Sequence, residues 1–526
     1  MPEAQAQAAR RAPRWFELGT LGACLALAAV GSIGLLLAVA GRYRTDLALL
    51  LGLPLAALGV AVLVRGRPTG PASRPAHAGA AIALVLAAAF AAFAGATPSQ
   101  NVVLERDPGS YMTTARWLAD EGTLEIDARD GAFEDVAGLR FAGAAVYDVG
   151  TPPPAPPGAP PDQVQQSGEL ETQFNHLAPV ALAAAYDLGG HRLLFRLPAL
   201  AAGLALLAIY AVAVRATGRP LVALLAPAVL GACTPLLYVA RNTYSEPFAT
   251  ALLWGAVLVL LGLHDRPRPA AGAVGGFLLG AVVCTRIDAL LYVALVPPLA
   301  AVSIALASDR AQRTRRAQTW AAVLATAAAV GAVGWYDLVA RTGAYERDLA
   351  DQLGQLRTGL VASVALSAVG LALWSAWPAG RDLAHRWSRP AAWAGAAVVG
   401  GALLFGWLVR PQLGDAQLDL VLSGVAKIQE RTGLPIEPDR SYAEDSLRWM
   451  AWYLGAPALA AAIGAIVVAT WRALRGSADA ALVGLLVLCL GGSAVYWYDP
   501  NITPDQLWAT RRFVPAAFPS LAVWAT

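Results

Sequence analysis

The chain has 526 residues, 57% of them hydrophobic and 14% charged, with 39 basic against 36 acidic side chains. A soluble domain carries about 25% charged residues, so the composition excludes an ordinary soluble enzyme, and the lack of a basic tract or zinc pattern excludes a nucleic-acid partner. Apolar runs near 20 residues recur along the chain and lift the mean hydropathy to +0.52, marking an all-α polytopic membrane protein whose first partner is the lipid bilayer.

Arg10, Arg11 and Arg14 precede an apolar stretch, 18–40, that outlasts the usual signal-peptide core of about 7–15 residues and reads as an uncleaved first span. Further spans are predicted at 46–64, 77–96, 192–214, 220–240, 247–263, 270–285, 288–306, 319–340, 359–379, 391–409, 449–470, 480–498 and 512–526. The total is about 13–14. The last run is short for a crossing, as it would be in a chain cut from a longer protein. The sequence divides into an N-terminal helix pair (1–76), a core (77–340) with the long loop 97–191, and a C-terminal membrane region (341–526) with the loop 410–448.

Arginines crowd the short connections, for example Arg310, Arg313, Arg315 and Arg316. By the positive-inside rule these connections are cytoplasmic, and 97–191, 341–358, 410–448 and 499–511 are extracytoplasmic. The run from Ala270 to Ser308 would be about 58 Å as one helix, roughly twice the hydrocarbon thickness. It must reverse, and Thr285-Arg286-Ile287-Asp288 is the natural place. The run 221–263 reverses in the same way at Arg241-Asn242-Thr243-Tyr244-Ser245-Glu246-Pro247. Both reversals fall on the outer side, with the loop 97–191. Within that loop the sequence predicts a helix from Asp107 to Gly122, a polyproline linker at 152–161 and an amphipathic helix on the membrane at 176–188. A second surface helix is expected at 418–430. The four cysteines, Cys24, Cys233, Cys284 and Cys489, all fall within predicted spans and imply no disulfide framework.

Charged and polar residues at the outer helix ends are the candidates for chemistry, each with a plainer alternative. Asp107 suits a general base, but Asp followed by Pro also suits a helix start. Glu105 is the second candidate base. Tyr111 lies one turn on and faces the same site or anchors at the interface. Ser245-Glu246-Pro247 is a helix start, or Glu246 binds a sugar hydroxyl or orients an arginine. Arg286 and Asp288 form a neutralising pair or serve function, because charge at membrane depth is costly. Arg286 and Arg241 are candidates for an anionic headgroup. Arg511 and Arg512 follow Trp508 as an interfacial anchor or a phosphate site, since paired outer arginines run against the positive-inside tendency. His176 is a surface histidine or a substrate contact. No Walker-A loop, nucleophile elbow or zincin motif occurs.

Taken in order, Glu105-Arg106-Asp107-Pro108-Gly109-Ser110-Tyr111, Phe174-Asn175-His176-Leu177-Ala178-Pro179, Tyr244-Ser245-Glu246-Pro247, Thr285-Arg286-Ile287-Asp288 and Arg511-Arg512-Phe513-Val514-Pro515 resemble the GT-C superfamily of polytopic membrane glycosyltransferases, close to the protein mannosyltransferase and aminoarabinose transferase type. The resemblance covers about residues 77–526. It implies a GT-C-like helical bundle with short surface helices in its outer loops. It also implies inverting transfer of a sugar from a polyprenyl-phosphate donor to a glycan, lipid or protein acceptor on the extracytoplasmic face of the plasma membrane. Asp107, or Glu105, would be the base and the arginines would hold the donor phosphate. No cofactor is firmly implied and no metal ligands are assigned; dependence on a divalent ion stays open. The rival readings are a transporter or flippase of a lipid-linked sugar and a non-catalytic envelope assembly protein.

Overall fold

The computed structural model describes residues 11–65, 72–103, 106–128, 145–151, 167–264, 266–414, 423–477, 480–500 and 502–526. The described part of the chain is all-α, with 79% of the described residues in helices. Among the described residues ten helices are long and apolar enough to cross a membrane, or eleven if one bent pair is a single span. It is a multi-pass membrane protein.

The first three helices are α1 (Arg14–Val39), α2 (Thr45–Val64) and α3 (Arg74–Ala96). After α4 (Asp107–Glu121), an antiparallel sheet forms inside the long loop from β1 (Ile126–Asp127), β2 (Val146–Asp148) and β3 (Glu169–Thr172), with β3 in the middle. Then come α5 (Leu177–Leu194) and α6 (Leu197–Thr217). The predicted span 220–240 is bent by 63° between α7 (Leu225–Gly231) and α8 (Thr234–Ala240). Pro235 in the first turn of α8 has no N–H for the preceding turn and its ring would clash with it, and Cys233 ahead of α8 is extended, so the helix does not run through.

The core helices are α9 (Glu246–Leu263) and α10 (Pro269–Thr285). The predicted return span 288–306 is α11 (Leu290–Ala294) and α12 (Val296–Ala305), followed by the long α13 (Arg310–Arg341). Next come α14 (Gly343–Asp348), α15 (Ala350–Ala376), α16 (Pro378–Leu404), α17 (Ser423–Thr432), α18 (Ser446–Leu454) and α19 (Ala456–Leu474). The chain closes with α20 (Ala480–Leu485), α21 (Gly491–Tyr498), α22 (Gln506–Thr510) and α23 (Ala517–Trp524). The run 512–526 therefore yields an eight-residue helix, too short to cross.

Small residues set the packing, as they must where lipid removes the hydrophobic drive between helices. Gly272, Gly276 and Gly280 form a stripe on α10. A side chain there would strike Thr319 O at 2.4 Å, Val323 O at 2.2 Å and Ala327 O at 3.0 Å of α13. On α2, Gly52 admits the backbone of Val30 on α1 in the same way.

One prediction about the long loop is corrected. The segment 176–188 does not lie on the membrane as an amphipathic helix. Every residue from Leu177 to Ala185 is buried, and α5 packs against α4 and α1. Its continuation breaks at Gly189 and Gly190, where φ reaches 62°. The second surface helix is observed at Ser423–Thr432; residues 415–422 and the linker 152–161 lie outside the described residues.

The helix ends fall into two sets. At one end Thr45 donates to Asp187 (2.6 Å) and Arg341 to Val39 O (2.6 Å). At the other Arg14 donates to Val64 O (3.2 Å) and Arg268 to Val62 O (3.3 Å). The starts of α4 and α9 and the turn before α11 belong to the first set.

Candidate functional site

Asp107 is the first residue of α4, and Arg106, extended at φ −140°, takes the cap position ahead of it. The expected cap role of Asp107 is thus not made: its carboxylate turns to Arg511 instead, at 2.5 Å. Gly109 is required here, since a Cβ would sit 1.7 Å from Val103 O. Gly122 ends the helix as expected, in the left-handed conformation at φ 72°. Thr243 Oγ1 ties this start to the next by donating to Pro108 O (2.5 Å).

Ser245 does occupy the cap position of α9, but its hydroxyl does not cap. It accepts from Tyr111 (3.0 Å) and from Arg286 (3.3 Å). Both helix starts have given up a capping bond, which contributes about 1 kcal/mol, to face a common centre.

That centre is a chain of charges. Arg511 bridges Asp107 and Glu246, the latter at 2.7 Å. Glu246 also accepts from Arg286 at 2.7 Å. Arg286 grips Asp288 with two nitrogens, at 2.8 and 3.1 Å, and Tyr496 donates to Asp288 at 2.6 Å. The Glu246 side chain is fully buried, and those of Arg511 and Asp107 are only 7% and 9% exposed. Charges this deep are tolerated only when paired and hydrogen-bonded.

Burial opposes the charge on Arg511, yet Asp107 and Glu246 outweigh it and hold the guanidinium pKa above its ordinary value. Arg286 is likewise raised, burial being overcome by Asp288 and Glu246. Burial, reinforced by Glu246, pushes the Tyr111 phenol well up, so it stays a neutral donor. Arg511 also stacks over Trp508, 4.1 Å from the ring centroid. Two buried atoms of the network, Glu246 Oε2 and Arg511 Nε, have no hydrogen-bond partner. Such orphans are costly, and here they leave the network with bonding capacity unspent.

A cavity of about 220 Å³ opens beside the charges. Arg286, Asp288, Arg511, Arg512 and Asn175 make its polar side; Tyr111, Phe174 and Tyr345 make an aromatic side; Leu349, Leu353 and Leu356 make an apolar wall at the start of α15. Phe174 stacks on Tyr111 at 5.1 Å and meets Tyr345 edge-on at 5.2 Å. Burial is the main force that pushes the Tyr345 phenol up to about 12, against Arg512. Arg512 is partly committed, donating to Pro500 O at 3.2 Å.

The structure brings together Asp107, Tyr111, Glu246, Arg286, Arg511 and Arg512 from distant parts of the chain. Two expected contacts are corrected. Arg241 does not line the cavity; it donates to Thr97 O (2.6 Å) and fixes the start of the long loop. His176 is not at the surface and does not line the cavity either. It is buried, with Nδ1 2.7 Å from Asp337 and Nε2 3.2 Å from Thr172, and its backbone N–H also reaches Asp337. Its place is behind Asn175, which donates to Gly334 O at 2.7 Å. Glu105 lies outside the described residues.

Sequence reasoning missed Tyr496, Tyr345 and Asp337. Asp337 had a signal: a lone acid in an apolar run demands a partner or a role. Tyr496 and Tyr345 had none, because tyrosine near a membrane surface is ordinary.

No protein-family model matches the chain, and no curated protein shows significant similarity to it.

Proposed function

We propose that the protein is an inverting membrane glycosyltransferase that takes a sugar from a polyprenyl-phosphate donor. The observation that carries this reading is the convergence of Arg286, Asp288, Arg511 and Arg512 at one cavity, with Asp107 and Glu246 paired to those arginines just behind its wall, beside an apolar wall on a helix whose apolar stretch faces outward. A carboxylate, a phosphate-binding set of guanidiniums and a lane for an isoprenoid tail are what such a transfer needs.

In the reaction the acceptor hydroxyl oxygen bonds to the anomeric carbon from the face opposite the phosphate. The bond from that carbon to the phosphate oxygen breaks, and polyprenyl phosphate leaves with the electron pair. The hydroxyl proton passes to Asp107. Arginine suits the leaving phosphate because its fork binds two oxygens at once. Arg511 holds Asp107 in the resting state. A donor phosphate that draws Arg511 toward itself loosens that pair and frees the carboxylate to meet the acceptor hydroxyl. Binding and activation are then one event. The aromatic faces of Phe174, Tyr111 and Tyr345 fit the apolar face of a sugar ring. The arginine-rich short connections at the opposite end favour an extracytoplasmic position for this one.

The test uses Asp107→Asn. Asn keeps the shape and can still accept from Arg511, but it cannot take the proton. A general base contributes roughly 10²–10⁴-fold, so purified Asp107→Asn should insert and fold yet lose transfer by about that factor. Near-normal transfer would remove Asp107 as the base. Consumption of donor by detergent-solubilised protein separates a transferase from a flippase, which needs two compartments. For sidedness, Glu169→Cys on β3 should react with an impermeant thiol reagent in intact cells; reaction only after lysis reverses the orientation.

A further inference from the structure

The opposite end of the bundle carries a second cationic pocket that the proposed reaction does not use. It lies among α1, α2, α6, α9 and α10, and its lining includes Arg11, Arg215, Arg266 and Arg268 and no carboxylate among the described residues. Its floor is apolar, from Leu63, Leu258 and Val259.

Two features show that the cations are built in. Arg215 is buried, near the end of α6, and its guanidinium crosses the backbone at Gly262, where a Cβ would come within 2.9 Å of one nitrogen. Glu17 holds another nitrogen at 3.0 Å, while Nε is buried with no hydrogen-bond partner. Second, α10 begins here. Arg268 is its cap residue, no side chain caps its first turn, and Ala271 of that turn lines the pocket. The positive end of a 17-residue helix thus adds to the four guanidiniums. Arg268 is steadied by Val62 O at 3.3 Å, and Arg266 is exposed. Near this end α2 turns Leu58 outward, so the pocket sits close to the lipid-facing edge of the bundle.

We infer that this pocket binds a phosphate group, carried by an anionic phospholipid of the leaflet at that end or free in solution. A phosphate over an apolar floor, at the level where helices end, is where a lipid headgroup lies. Basic pockets between membrane helices take such groups. The site is distinct from the cavity at Asp107, being at the other end of the same helices.

The full chain in neutral detergent tests this by thermal stability and by retained ligand in native mass spectrometry. Phosphatidylglycerol should stabilise it and phosphatidylcholine should not. Arg266→Glu with Arg268→Glu should weaken the effect at least about tenfold, while Arg512→Ala at the far end should leave it intact. Stabilisation by inorganic phosphate alone, lost in the same double variant, would assign the pocket to a soluble phosphate. If the double reversal does not fold, Arg266→Gln with Arg268→Gln removes charge without adding acid and should show the same loss. The inference is overturned if neither phosphatidylglycerol nor inorganic phosphate stabilises the parent. Binding to a folded double variant as tight as to the parent overturns it equally.

Discussion

Over their most apolar 18 residues α9 and α15 have the same mean hydropathy, 1.8, yet 94% of that stretch is buried inside the protein in α9 and 0% in α15. Hydropathy reports whether a helix leaves water; it does not report whether its neighbours are lipid or protein. What differs is whether the small residues meet a neighbouring helix, and what the ends carry. α9 approaches α1 closely at Gly255, where a Cβ would lie 3.0 Å from Cys24 Sγ. α15 has Gly354, Gly359 and Gly370 with nothing within 4 Å. At their first-set ends, α9 presents a buried carboxylate to the charge network and α15 presents leucines to the cavity.

The largest effect should come from Glu246→Gln. Glu246 is the carboxylate that two buried guanidiniums share, so the substitution takes one partner from each, and breaking a buried pair costs about 3–5 kcal/mol. A fall in melting temperature together with loss of transfer is expected. A stable, active Glu246→Gln would mean that the network is held by Asp107 and Asp288 alone.

Gly255→Leu should come next. Overfilling a packed contact costs about 1–3 kcal/mol, read as lowered thermal stability in detergent. Leu353→Ala tests the wall of the cavity from α15. Loss of apolar contact there should raise the apparent KM for a long-chain donor several-fold, with an effect of order 1–2 kcal/mol, and do less to a short-chain donor. An equal effect on both would place the isoprenoid elsewhere. Gly370→Leu should be the mildest, within about 0.5 kcal/mol. A loss as large as that of Gly255→Leu would show that another protein surface covers α15.

The helices were legible because period and length of apolar runs are the strongest signals a membrane chain gives. The reversals at Arg241–Pro247 and Thr285–Asp288 followed from length alone, and they placed Glu246 and Arg286 at one end with Asp107. The pairing itself was not legible. Nothing in the sequence says that Arg511 reaches Asp107, 404 positions away, or that Tyr496 reaches Asp288. The cap motifs misled in an instructive way. Asp-Pro and Ser-Glu-Pro do start helices, but the side chains that would cap them are bonded across the site, because a buried guanidinium is a stronger partner than an end-of-helix amide. The depth of α5 was also missed: a run of Ala and Leu reads the same against lipid as against protein.

Phe174 takes φ 77° and is, with Tyr442, one of two non-glycine residues with positive φ among those described. That geometry costs a residue with a Cβ about 1–3 kcal/mol, and glycine escapes it. The buried lock of His176, Asp337 and Asn175 next door is what keeps the segment in place. A laboratory population screened only for survival on heating should therefore accept Phe174→Gly early. The same population screened for sugar transfer should reject it, since the ring facing Tyr111 and Tyr345 would be gone. At this one position durability and competence pull the chain in opposite directions.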